Sequence, residues 1–238
     1  MLYHYQQMLN SNMNNNQPLA LSYQLRCQFL NIKPIIWRCL LLHPHSTLAT
    51  LHYALQITCN WSDEDNHYFI VRKQRISIPR PFVKVYDLSA EEVSLASLQL
   101  QPNEYFLYGY HHVDNWQLEI RIEKQLPLNP KQTYPFCPTG KRAAPPENCG
   151  GAERFMQLRN HYSPFYMYHY LLECHELYQR RHELTEPERR ELEACQLEIK
   201  KFTYWQSIDK FDRHTANRRL KLWVTNDPSW QETKKVVW

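Results

Sequence analysis

Trp116-Gln117-Leu118-Glu119-Ile120-Arg121-Ile122-Glu123 alternates apolar and polar side chains without a break. Successive strand residues point to opposite faces, so this segment must bury one face and wet the other. Glu104 to His111 and Trp116 to Glu123 read as two strands of a β-hairpin, with His111, His112 and Asp114 in the turn. An antiparallel sheet is the expected nucleus of the fold.

Upstream, Tyr23, Leu25, Cys27 and Phe29 alternate with Gln24, Arg26 and Gln28, a second half-buried strand. Asn31 to Pro34 turn the chain, and Ile35 to Leu42 supply a hairpin partner. Ser46 or Thr47 can cap a helix from Leu48 to Ile57, with Leu48, Leu51, His52 and Leu55 on one face. His67 to Arg72 reads as another strand, Ile76 to Leu88 as a proline-punctuated edge or loop, and Ser89 to Leu98 as a short connection. The acidic stretch Asp63, Glu64 and Asp65 before His67 reads as a solvated turn with a hydrogen-bonded histidine.

Tyr134-Pro135-Phe136-Cys137-Pro138-Thr139-Gly140-Lys141-Arg142-Ala143-Ala144-Pro145-Pro146-Glu147-Asn148-Cys149-Gly150-Gly151 holds three of the four glycines and four prolines. Such a stretch is expected to be a stiff loop, neither helix nor strand, bracing a sheet edge. Cys137 and Cys149 lack the two close ligand pairs of a structural zinc site, so the metal signal is weak on spacing alone. His111 or His112 joining these thiols is the arrangement that would reverse that reading. Adjacent strand residues face apart, however, so the two imidazoles converge only if the strand breaks before them.

Beyond Gly151 the period becomes helical. Phe165, Tyr168, Leu171, Leu172, His175 and Tyr178 form one apolar stripe, and Leu192, Cys195, Ile199 and Phe202 another after the capping box Thr185-Glu186-Pro187-Glu188. Two antiparallel helices are expected, followed by a third short helix within Asp209 to Trp223. That last segment is the most basic: Arg213, Arg218, Arg219 and Lys221 are the candidate nucleic-acid contacts.

The 238 residues, 43% of them hydrophobic, suffice for a sizeable core, and the net charge of +4 falls short of a protein held to nucleic acid by charge alone. Seven unpaired-looking cysteines and the lack of a long apolar run predict a reduced, cytoplasmic chain with no membrane partner. Cys27, Cys39, Cys59, Cys174 and Cys195 read as small buried hydrophobes. The expected architecture is α+β: an Asn-rich disordered arm over residues 1–18, an antiparallel sheet with one packed helix over 19–151, and a helical C-terminal appendage over 152–238.

Several blocks together resemble the Ri-plasmid ORF-three-like family, also labelled the insertion-sequence passenger or TnpR family. They are Tyr134, Pro135 and Cys137; Gly140 and Arg142; Pro145, Pro146, Glu147, Cys149, Gly150 and Gly151; Pro34, Trp37 and Arg38; and Leu51, His52, Trp61, Asp63 and His67. Asp114 and Trp116 match a further strand start, and Phe211, Asp212 and Asn217 to Leu220 a C-terminal ending. The match runs from about Tyr23 to Gly151. Where the family pattern has a third cysteine and a histidine, this chain has Ala144 and Leu118, so only Cys137 and Cys149 remain and no metal and no cofactor is expected; His111 and Val113 likewise replace an Asp and a Gly.

The resemblance implies a protein of plasmids or mobile elements. As a binding module it would be a non-catalytic accessory factor touching DNA or a mobile-element protein; as an enzyme, a resolvase-like recombinase or metal-dependent hydrolase; as a third reading, a purely structural interaction protein. The chain has no P-loop, no Gly-x-Ser-x-Gly and no compact serine nucleophile with arginines, and it identifies no small-molecule substrate. The binding module is therefore the preferred expectation.

Overall fold

A computed structural model describes residues 21–80 and 86–231. The Asn-rich arm and part of the proline-punctuated segment lie outside the described residues. Eight strands form one sheet: β1 Leu21–Phe29, β2 Trp37–Leu42, β3 His67–Val71, β4 Gln74–Ser77, β5 Leu88–Ser89, β6 Tyr105–Tyr110, β7 Trp116–Pro127 and β8 Phe136–Lys141. Their order is β5-β4-β3-β6-β7-β1-β2-β8, antiparallel throughout except for the β4–β5 edge pair. The α+β expectation holds.

The hairpin sits at the centre. Tyr110 pairs with Trp116 at its turn end and Tyr105 with Arg121 at the other, and Trp116, Leu118, Ile120 and Ile122 are all buried. Strand β1 continues the sheet on the far side of β7, with a bulge that leaves Glu123 between the Gln24–Lys124 and Leu25–Ile122 pairs. Helix α1, Leu48–Cys59, packs on the sheet. Thr47 caps it by accepting a bond from the Thr50 amide, and Asn60 ends it in the left-handed conformation.

The stretch expected to be loop throughout is in part a strand. Residues Phe136–Lys141 form β8, which pairs with β2 from Trp37–Lys141 to Leu41–Phe136 with a shift between Cys39 and Leu41. Pro138 lies within it. An edge strand tolerates a residue without an N–H, which is why proline counts did not exclude pairing here. Tyr134 and Phe136 are half-buried, while Pro135, Cys137, Ala144, Pro145 and Pro146 are buried.

Helices α2 Gly151–His161, α3 Pro164–Gln179, α4 Glu186–Ser207 and α5 Arg213–Val224 follow. Phe155, Tyr162, Met167, Phe202, Trp205, Ile208 and Leu220 belong to the same core as the sheet, whereas Cys174, Leu177, Leu184 and Cys195 make a small separate cluster between α3 and α4. The capping box forms as expected, with Glu188 accepting from the Thr185 amide at 2.8 Å.

Two expectations are corrected here. Cys174 and Cys195, read as unpaired, form a disulfide with Cα atoms 5.9 Å apart, because the buried stripes of two antiparallel helices bring them face to face. And the stripe Phe165, Tyr168, Leu171, Leu172, His175 and Tyr178 faces outward; α3 instead buries Met167, Cys174 and Leu177, with Tyr166 and Tyr170 packed beside them. Both faces of α3 carry apolar groups, so periodicity alone did not decide between them.

Candidate functional site

The family-motif residues converge between α1, the β6–β7 turn and the Pro145–Gly151 segment. His52 on α1 is fully buried; its Nε2 lies 2.8 Å from Asp63 Oδ1 and its Nδ1 2.9 Å from the Tyr108 hydroxyl. Gln56 Nε2 donates to the same hydroxyl at 3.0 Å, and Arg80 bonds the Asp63 carboxylate. His67 stacks on His52 with centroids 3.6 Å apart. Burial lowers the pKa of both imidazoles, so the pair is neutral, and Asp63 raises His52 only in part. Among the described residues His67 Nδ1 and Gln56 Oε1 have no hydrogen-bond partner. A Tyr–His–Asp chain is formally an acid–base relay, but His52 and Tyr108 are at 0% exposure, and Asp63, the one partly exposed member, is held by His52 and Arg80.

Beside it, Glu147 ties three segments together. Its carboxylate accepts from the Tyr110 hydroxyl and, at 2.8 Å, from the Ser62 amide, and its carbonyl accepts from Trp116 Nε1 at 3.1 Å. Trp61 Nε1 donates to the Pro145 carbonyl at 2.9 Å, and its ring stacks on Tyr110. Asp114 accepts from the Gly150 amide at 3.0 Å. A Cβ on Gly151, whose φ is +78°, would lie 2.5 Å from the Asp114 carbonyl oxygen. The motif is thus a clamp joining the sheet to α2.

The histidines of the hairpin turn do converge, which corrects the expectation that they face apart. β6 ends at Tyr110 and His111 takes a φ of +69°, so the strand has already broken. Asp65 then receives His112 Nδ1 at 2.6 Å and faces His111 Nε2 at 3.4 Å, while His111 Nδ1 accepts from the Asp114 amide at 3.0 Å. Partial burial raises the Asp65 pKa, but the Asn66 amide and His112 outweigh it, so its carboxyl stays below the usual range. Both nitrogens of His111 are engaged. Among the described residues no group of three or more His, Cys, Asp or Glu side chains is arranged to hold a metal ion.

Cys137 and Cys149 are separately housed. Cys137 feels Arg38, Cys59 and Arg213, and Cys149 feels Asp114 and Arg154; burial pushes each thiol up to about 12. Arg38, 1% exposed, donates to the carbonyls of Thr58, Trp37 and Lys141 and lies 3.9 Å over the Phe211 ring. Trp37 is covered by the Arg26 guanidinium at 4.3 Å, and Arg142 bonds Asp209 and the Ile35 carbonyl. Pro34 follows Lys33 through a cis peptide, Pro135 likewise follows Tyr134, and Leu51 is fully buried. A Cβ on Gly140 would meet the Phe211 ring.

The basic candidates divide. Arg213, Arg218 and Lys221 are exposed on α5; Arg219 is 3% exposed and donates to the Trp230 carbonyl at 2.7 Å and to Asn60 Oδ1 at 2.8 Å, next to the end of α1. Helical spacing puts Arg219 on the same side as the buried Ala216 and Leu220, which removes it from any outer surface. Tyr108, Gln56, Tyr110 and Arg80 were not among the sequence candidates, and Asn217 was matched only as part of the family-style C-terminal ending. The signal for the tyrosines was their place on the inner face of β6, where a buried hydroxyl requires a partner.

The sheet flanked by helices, with a clamp of Trp61, Asp114, Trp116, Glu147 and Gly151, defines a recognisable class. A family model described as plasmid pRiA4b ORF-3-like protein matches residues 21–194, and the chain belongs to that family. The match reaches past Gly151, through α3 and into α4. A solved structure of a protein of unknown function from Methanosarcina mazei Go1 is similar, at 31% identity and a TM-score of 0.52, over 59% of this chain and 81% of that one. A comparison with curated proteins finds no match.

Proposed function

We propose that this protein is a non-catalytic accessory module of a plasmid or mobile element that contacts DNA through the outer face of α5. The observation that carries the reading is an uncompensated cationic helix: α5 contains no acidic residue, and Arg213, Arg218 and Lys221 are exposed with no ion-pair partner among the described residues. Along α4, by contrast, Glu186 pairs with Arg190, Glu198 with Lys201 and Glu188 with Arg180. Phosphates favour such a helix, and a few contacts of this kind give weak, salt-sensitive, sequence-tolerant binding. Lining up with this, the family-motif residues brace the fold: Glu147, Asp114, Arg38 and His52 all spend their polar atoms on intramolecular bonds.

At the motif His52 and Tyr108 are fully buried and the Asp63 carboxylate is held by His52 and Arg80, which favours a bracing role over the recombinase and hydrolase readings. The test is fluorescence anisotropy of a labelled 20-base-pair duplex at about 50 mM salt. Binding that weakens with salt and is lost in the Arg213→Ala, Arg218→Ala, Lys221→Ala triple variant supports the proposal. No binding to duplex at that salt overturns it in favour of a protein partner.

A further inference from the structure

Helix α3 presents Phe165, Tyr168, Leu171, Leu172, His175 and Tyr178 to solvent, with Phe165 73%, Tyr168 60% and Tyr178 51% exposed. Phe165, Tyr168, Leu172 and His175 recur with the 3-4-3 spacing of a helix-packing seam, and Leu171 and Tyr178 flank it. α3 carries no lysine or arginine; of its acids, Glu173 lies off the stripe and Glu176, one turn beyond Leu172, borders it. Isolated apolar side chains on a surface need no explanation, but six on one helical face form a continuous patch.

The spacing is also palindromic. Read from either end the stripe runs 3, 3, 1, 3, 3, with its midpoint between Leu171 and Leu172. Laid antiparallel on an identical helix about a two-fold axis at that midpoint, Phe165 meets Tyr178, Tyr168 meets His175, and Leu171 meets Leu172 of the other copy. Only a self-complementary surface closes this way, the isologous contact of a cyclic dimer. We infer that α3 is a homodimer interface, occupied by α3 of a second copy of this chain in antiparallel register.

The area is adequate. An aromatic side chain offers roughly 150–250 Å², so the exposed fractions leave on the order of 350 Å² of aromatic surface per copy. With the two leucines and His175 added, both copies together bury about 1,000 Å², the lower bound for a specific interface. The Cys174–Cys195 disulfide lies on the opposite, buried side of α3 and holds the helix against α4, so the outward stripe is presented on a braced hairpin.

The test uses the full chain. Sedimentation velocity should show a monomer–dimer equilibrium, with Leu172→Glu, which sets two carboxylates across the axis, and Tyr168→Lys both monomeric and as thermally stable as the monomeric parent. A wild type that stays monomeric at about 100 µM overturns the inference, as does a dimer that survives both substitutions. Register is read by cross-linking: Leu172→Cys near the axis should form an intermolecular disulfide on mild oxidation. Phe165→Cys should not, because its copies lie about 20 Å apart along antiparallel helices. Equal cross-linking of the two variants overturns the antiparallel arrangement.

Discussion

Asn217 pairs with the backbone of Cys137 as a neighbouring strand would: its Nδ2 donates to the Cys137 carbonyl and its Oδ1 accepts from the Cys137 amide, both at 2.8 Å. β8 is the outer strand, so these groups would otherwise be an open edge. The side chain of α5 closes it and couples the C-terminal helix to the motif strand.

Asn217→Ala should therefore destabilise the protein by about 2–3 kcal/mol, since two hydrogen bonds vanish and a half-buried amide and carbonyl lose their partners. Urea denaturation checks this. A loss under about 0.5 kcal/mol would mean that water satisfies the edge equally well.

The buried histidine pair predicts an acid-side loss of stability. His52 and His67 have folded pKa values below the ordinary 6.5, chiefly through burial. The unfolded chain takes up these protons as pH falls below about 6.5 and the folded chain does not. Stability is full above that pH and declines beneath it, by up to about 1.4 kcal/mol per pH unit for each histidine. Denaturant midpoints at pH 7.5, 6.5 and 5.5 should trace this decline, and His67→Phe should make it shallower. An unchanged slope in the variant would assign the effect to other groups.

Gly151 has a steric reason to be glycine. With φ at +78° and the Asp114 carbonyl oxygen where a Cβ would stand, Gly151→Ala combines left-handed strain with a backbone clash. It should cost at least about 2 kcal/mol. Gly150→Ala, with φ at +92°, meets the Arg154 Cγ and Cβ at 2.9 and 3.0 Å rather than a backbone oxygen at 2.5 Å and should cost less. Equal melting points for the two variants would show that the loop yields.

Much of the sheet was legible because period-two patterning and burial agree: Leu25, Cys27, Phe29, Trp116, Leu118, Ile120 and Ile122 all face inward as read. The capping box at Thr185 and the cap at Thr47 are local hydrogen-bond chemistry and were legible for the same reason. Three things were not. β8 was hidden by Pro138 and Gly140, whose local preferences are overridden by pairing with β2. The orientation of α3 depended on which of two apolar faces meets α4, and that is a tertiary fact. The clamp residues were found only as a family pattern, since the bonds from Glu147 to Ser62 and from Asp114 to Gly150 span 85 and 36 residues.

Arg218 and Arg219 are adjacent in sequence and should behave oppositely. Arg219 is buried against the Trp230 carbonyl and Asn60, and burial together with Arg218 lowers its pKa; truncation leaves the end of α1 unpartnered. Arg219→Ala should cost about 2–4 kcal/mol of stability and leave the salt dependence of DNA binding unchanged under conditions where the variant is folded. Arg218 is exposed and without an ion-pair partner among the described residues. Arg218→Ala should leave stability within about 0.5 kcal/mol of the parent and reduce the salt slope by roughly 0.9, the amount for one phosphate contact. The two readouts, urea midpoint and log-affinity against log-salt, separate a residue that holds α5 in place from one that α5 holds out to a ligand. If Arg218→Ala left the slope untouched while Arg219→Ala altered it, the binding face would not be the outer side of α5.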